Sequence, residues 1–194
     1  MSIRFATSGD LPRILEIYAP FVEHTAVTFE YTVPTPKSFA DRFRSVTAQF
    51  PWLVWEEEGR VLGYAYGSAP FERAAFSWCC ESSIYLDPCC HGRGIGKKLQ
   101  LALEELLRLQ GYQLLYALVT TDNPASIAFH KALGFRQLAT FPDCGWKLDA
   151  WHGIVWLEKR LHSVENASNF PLPISSIVDS NQKLTYILGN LSLS

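Results

Sequence analysis

Residues 90–98 read Cys90-His91-Gly92-Arg93-Gly94-Ile95-Gly96-Lys97-Lys98, and the leucines that follow at 99, 103, 106 and 107 fall on one helical face. Glycines let the backbone turn tightly and approach a ligand with no Cβ in the way. The unpaired N–H groups of the first helical turn then face outward, backed by the helix dipole, which makes a seat for phosphate. Arg93 and Lys97 or Lys98 add positive charge at its rim. Gly111 marks the end of this helix near Gln110.

Three phosphate motifs compete for this segment. A P-loop requires glycine where this chain has His91, and Ser or Thr where it has Lys98, so that reading fails. A dinucleotide fingerprint starting at Gly92 and Gly94 needs a third glycine at 97, which is Lys97, and should open the first strand–helix unit of a parallel sheet. A shorter glycine turn that holds the pyrophosphate of coenzyme A fits the spacing.

Upstream, Ile3 to Ala6 reads as a strand, and Asp10 as the cap of a helix to about Phe21 with Leu11, Ile14, Leu15 and Tyr18 on one face. Thr35-Pro36 opens a second helix that continues to about Ala48. Trp52 to Glu56 and Arg60 to Ser68 read as a hairpin, and about Phe76 to Leu86 as the third strand of a meander. Downstream, Tyr112 to Val119 is apolar almost throughout, as a strand covered on both faces should be. Asn123 is a good cap for a helix that ends at Leu133-Gly134. Two strands close the pattern, about Phe135 to Phe141 and Trp151 to Leu161, with an irregular crossing at Cys144 to Ala150. The order βααβββαβαββ specifies an α/β fold, a single domain with a mixed central sheet over residues 1–162. Residues 163–194, rich in Ser, Asn and Leu, read as a loosely ordered extension, with Leu184 to Leu188 the segment best suited to add an edge strand or contact a partner.

Composition narrows the function. The 194 residues are 48% hydrophobic and 19% charged with a net charge of −2, which suits a globular domain and opposes a dedicated nucleic-acid binder. No apolar run reaches the ~20 residues of a membrane span, and the N-terminus lacks a signal-peptide pattern, so a cytoplasmic protein is expected. Cys79, Cys80, Cys89, Cys90 and Cys144 have no CxxC spacing, so no metal site and reduced thiols are expected.

His91-x-x-Gly94-x-Gly96 resembles the Q/R-x-x-G-x-G/A pyrophosphate loop of the GNAT acetyltransferases, with His91 in place of Gln or Arg. Asn123-Pro124-Ala125-Ser126 through Leu133-Gly134-Phe135 resembles that family's second signature. The likeness is greatest to phosphinothricin and methionine sulfoximine N-acetyltransferases, through Thr28-Phe29-Glu30, Arg73-Ala74-Ala75-Phe76, Glu81 to Leu86, His130 to Phe135 and Trp151-His152. The chain departs from those enzymes at Gly153, commonly Asp; at Phe76, commonly Tyr; and at Asp149-Ala150, where they have Gly-Arg.

The resemblance implies a GNAT-like fold, acetyl-coenzyme A as co-substrate with no metal, a small amine acceptor and a homodimer. It implies Glu81 as the base, the single carboxylate of its apolar strand segment. His130 lies where many members of the family have a tyrosine thought to protonate coenzyme A, and an imidazole can supply a proton there. The backbone of Ile84, Tyr85 and Leu86 would bind the pantetheine arm, with a strand N–H polarising the thioester carbonyl. His91, Gly92, Arg93, Gly94, Ile95, Gly96 and Lys97 would hold the pyrophosphate, and Asn123 and Ser126 the far wall. Arg73 is the expected carboxylate or phosphinate clamp, with Phe29, Glu30, Ala74, Ala75 and Phe76 lining the acceptor pocket. Three activities compete: acetylation of a small amino acid or analogue by direct attack, acetylation of a protein N-terminus or polyamine, and acyl-CoA binding without catalysis.

Overall fold

The computed structural model describes residues 1–162, 169–180 and 188–189. The strands are β1 (Ser2–Phe5), β2 (Trp52–Glu57), β3 (Arg60–Ser68), β4 (Cys79–Leu86), β5 (Leu114–Thr120), β6 (Arg136–Lys147) and β7 (Ala150–Arg160). The helices are α1 (Leu11–His24), α2 (Pro36–Thr47), α3 (Ile95–Gln110), α4 (Pro124–Ala132) and α5 (Ile174–Ser180). The strands form one sheet in the order β1-β2-β3-β4-β5-β7-β6. Up to β7, the element order is the one the sequence predicts.

Each face of the sheet has its own apolar layer. Ile14, Ile17, Tyr18 and Val22 of α1 and Phe39 and Phe43 of α2 pack on Trp52, Val54, Val61 and Tyr64. On the other face, Leu99, Leu103, Leu106 and Leu107 of α3 are fully buried against Leu53, Ala65, Cys80 and Leu115. Burying one such side chain contributes about 1.5–3 kcal/mol, so these layers fix the sheet between its helices.

The feature that positions the site is the junction of β4 and β5. Among the described residues it is the one parallel pairing in the sheet, and it holds for Cys79–Leu114, Cys80–Leu115 and Glu81–Tyr116 only. Beyond Glu81 the two strands separate. The backbone of residues 82–86 keeps its ladder to β3 and presents a free edge toward β5.

Four local expectations are corrected. Asp10 does not cap α1 through its side chain; its carboxylate pairs with Arg4 and accepts from Thr7, and these bonds hold its pKa down at about 2. The meander strand starts at Cys79, because Ala74–Phe76 forms a 3-10 turn. The irregular crossing is absorbed inside β6, whose register shifts between Phe141 and Gly145. Pro142 cannot donate to a ladder and Asp143 takes a φ of 47°, so a bulge restores pairing there before Leu148 and Asp149 turn the hairpin with φ of 50° and 58°. Finally, part of the extension is packed: Ile174 and Ile177 of α5 are buried, α5 lies against α3, and Phe170 stacks on Trp78. Residues 184–187 lie outside the described residues.

Candidate active site

The gap between the splayed strands holds a cavity of about 220 Å³. Glu81 and Ser82 to Tyr85 of β4 form one wall, and Ala117 to Thr120 of β5 the other. Val27, Thr28, Phe29 and His130 complete it. Glu81 is the last residue of β4 paired with β5, and burial alone raises its carboxyl from 4.5 to about 7. Among the described residues, no hydrogen bond or ion pair holds that carboxyl in its charged form.

His130 is 3% exposed, and burial lowers its pKa below the usual 6.5. Its Nδ1 lies 2.8 Å from the Ser126 carbonyl oxygen, which can only accept, so the neutral ring carries its proton on Nδ1. Nε2 is therefore a lone pair, and it is buried without a partner among the described residues. The ring is held as an acceptor, not as the proton donor that its position in the sequence suggests. Thr120 Oγ1 on the same cavity is also buried and unpartnered. Two orphaned polar atoms around one cavity mark a place for a polar ligand or ordered water.

A second, more apolar cavity of about 480 Å³ adjoins the first. His91, Gly92, Gly94, Ile95, Gly96 and Lys97 line one end, and Ile84, Tyr85 and Leu86 run along it. Asn123, Ser126 and Phe129 face them from α4. The Asn123 side chain accepts from Ser126 N at 3.1 Å, which caps α4 and fixes this wall.

This cavity suits a pyrophosphate and its arm. Gly92 and Gly94 have φ of 77° and 78°, and a Cβ at either would meet no atom within 4 Å, so the turn is open on its outer side. Gly94 caps α3 without a side-chain bond, leaving the first amides of α3 for an anion. Arg93 is turned elsewhere, bound to both Glu57 carboxylate oxygens at 2.8 and 2.7 Å. Lys97 is the cation that lines the cradle.

The expected acceptor residues divide into two groups. Phe29 lines the Glu81 cavity, and Glu30 beside it pairs with Arg42 of α2 at 2.6 Å. Arg73 and Phe76 instead line a separate cavity of about 410 Å³ with Phe50, Tyr112 and Phe170, and Ala74 and Ala75 are exposed on the turn between them. Within one chain, Arg73 is not brought to Glu81. Arg42 and Lys147 belong to none of the sequence motifs. Both contact the 28–30 segment, Lys147 through a 2.7 Å bond to the Thr28 carbonyl.

Residues 3–156 match the acetyltransferase (GNAT) domain family. The chain belongs to the GNAT acetyltransferases. It is an N-acetyltransferase, and acetyl-coenzyme A is its co-substrate. Phosphinothricin N-acetyltransferase of Streptomyces viridochromogenes is 30% identical over 79% of this chain and 84% of that protein. The L-methionine sulfoximine/L-methionine sulfone acetyltransferase of Salmonella typhimurium is 35% identical over 83% of this chain and 95% of its own length. A phosphinothricin acetyltransferase of Sinorhizobium meliloti, solved in complex with acetyl-coenzyme A, superposes with a TM-score of 0.81. It is 35% identical, and the match covers 88% of this chain and 92% of that one. Among the described residues, no helix is long and apolar enough to cross a membrane, and no group of three metal-ligating side chains is present.

Proposed function

We propose that this acetyltransferase acts by direct attack on the α-amine of a small amino acid or analogue of the phosphinothricin and methionine sulfoximine type. The observation that carries this reading is Glu81, a carboxyl with a pKa of about 7 at the closed end of the β4–β5 fork, in the wall of the smaller cavity. A free α-ammonium must lose a proton before it can attack, and a base poised near neutrality is suited to take it. Glu81 accepts that proton, and the amine nitrogen then bonds to the thioester carbonyl carbon as the carbon–sulfur bond breaks. The nitrogen loses its remaining excess proton to solvent as the amide forms, and the departing thiolate takes one up from solvent, since His130 Nε2 has no proton to give.

The other residues orient and stabilise. Free N–H groups along 82–86 donate to the pantetheine arm and to the carbonyl oxygen as charge builds on it. His130 Nε2 and Thr120 Oγ1 accept and orient the incoming amine or a water beside it. The acceptor cavity, closed by Thr28 and Phe29, suits a small molecule more than a peptide, which needs an open groove. Lys147 puts a positive charge behind this segment, where Arg42 is balanced by Glu30, which suits an acidic group on the acceptor.

Coenzyme A release, measured across phosphinothricin, methionine sulfoximine, methionine sulfone, polyamines and N-terminal peptides, tests the assignment. Turnover of at least one of the first three, and none of the peptides, is expected. Turnover confined to peptides or polyamines overturns the substrate class, and no release with any amine overturns catalysis.

A further inference from the structure

His152 sits in β7 opposite Gly145 of β6, with its side chain 12% exposed. Its Nδ1 contacts the Asp122 carboxylate, and its Nε2 lies 2.8 Å from the Lys147 carbonyl oxygen. Both partners can only accept. A neutral imidazole has one N–H and can satisfy one of them, whereas an imidazolium has two and satisfies both.

The partners belong to different elements beside the reaction site. Asp122 immediately precedes Asn123, the residue that caps α4 on the coenzyme wall. Lys147 is 3% exposed, and its ammonium reaches across to the Thr28 carbonyl at 2.7 Å. Thr28 and Phe29 then line the Glu81 cavity, and the Phe29 ring lies 6.4 Å from that of His152. A continuous line of hydrogen bonds thus runs from the loop before α4, through β7 and β6, to the acceptor wall.

We propose that His152 is a positioning residue for acetyl transfer, which as an imidazolium locks the β6–β7 hairpin and the Thr28–Phe29 wall it carries to the coenzyme wall at Asp122. The proposal rests on the reading of that wall as the acceptor side. The charges around the ring agree with it. The Lys147 carbonyl and the Asp122 carboxylate raise the His152 pKa above 6.5, and burial and the Lys147 ammonium oppose them without prevailing. Glu30 faces the Lys147 ammonium rather than the ring. The lock is therefore complete at low pH, and it loses one of its two bonds as pH rises through the His152 pKa. Glu81 ionises as pH rises, so the two groups act in opposite directions, one favouring deprotonation of the amine and the other the closed acceptor wall.

Substitution His152→Gln tests this, because the amide can still donate to Lys147 but carries no titrating charge. The acceptor KM of the variant relative to wild type is expected to be raised about fivefold at about pH 6, near the lower end of site-to-site coupling, and to approach unity at about pH 9. The KM for acetyl-coenzyme A should not follow this profile. A ratio that stays constant across pH signifies a merely structural residue and overturns the proposal, as does a ratio of unity at about pH 6.

A second measurement does not depend on turnover. Ring nitrogen NMR of the wild-type protein should show both His152 nitrogens protonated at about pH 6.5, with a midpoint that falls in Asp122→Asn. The amide signals of Thr28 and Phe29 should move with that midpoint and stand still in His152→Gln. A neutral ring at about pH 6.5, or wall amides indifferent to its titration, overturns the lock even if no tested amine is a substrate.

Discussion

Substituting Glu81→Gln separates chemistry from folding, because the two should move in opposite directions. Raising a carboxyl from 4.5 to about 7 by burial means that the fold disfavours the charged form. The wild-type protein binds a proton there more tightly than its unfolded chain does. Stability is therefore fully retained below the unfolded value of 4.5 and declines as pH rises toward about 7. The cost above that range is about 1–3 kcal/mol, the upper end holding for a dry site and the lower for one that water in the cavity screens.

Glutamine has nearly the same shape and no charge to desolvate, so the variant should escape this cost. At about pH 8 it should melt roughly 3–8 °C above wild type, and the difference should shrink toward zero at about pH 4.5. Its kcat should fall about 10²–10³-fold, and the acid limb of the wild-type rate profile, centred at about pH 7, should disappear. Thermal melts by differential scanning fluorimetry across pH, paired with coenzyme A release, measure both. A variant that is less stable at about pH 8, or one that keeps the acid limb, would refute the assignment of a desolvated base.

Other perturbations follow from the same geometry. His130→Phe should lower kcat about 100-fold in the release assay. Because the folded His130 pKa lies below its unfolded 6.5, the wild type loses stability as pH falls through that window, and the Phe variant should lack this acid sensitivity in a pH series of melts. Gly145→Ala places a Cβ 2.3 Å from the Phe29 ring. That overpacking, about 1–3 kcal/mol, should raise acceptor KM while acetyl-coenzyme A affinity by calorimetry stays put. Gly94→Ala forces a Cβ onto a φ of 78°, which costs about 1–2 kcal/mol and should weaken acetyl-coenzyme A binding about tenfold by calorimetry. Ile177→Ala should destabilise the protein by about 2–4 kcal/mol in urea melts if α5 docks on α3 as described.

Much of this fold is legible because its signals are local. The leucines of α3 repeat at helical spacing, Asn123 does cap α4, and Glu58-Gly59 closes the β2–β3 hairpin with positive φ at both positions. Lys147 and Arg42 leave no such trace. Thr28 and Lys147 are 119 positions apart in the chain, and only the closure of the sheet makes them neighbours. Arg73 illustrates the converse: its guanidinium chemistry and its place in the family resemblance suit a carboxylate clamp, and within one chain the turn it opens lines a different cavity from Glu81. The seven residues of α5 are too few to signal a helix on their own, since such a short helix draws its stability from docking rather than from propensity.

The proposed coenzyme edge and the proposed base are two consequences of one structural event. Because β4 and β5 part after Glu81–Tyr116, residues 82–86 keep an unpaired edge that an extended pantetheine arm can complete. The same parting puts Glu81 at the closed end of the fork, where it lines the cavity and yet is desolvated by the paired strands behind it. Continuing the β4–β5 ladder by even two residues would satisfy that edge and fill the space in front of the carboxylate. Pairing that ended two residues earlier would leave Glu81 solvated, with its pKa back near that of an ordinary carboxylate and its basicity at neutral pH lost. On the proposed reading, the place where the ladder stops therefore sets cofactor binding and base strength together, and the apolar packing of α3 beneath Cys80 and Leu115 is what holds that place fixed.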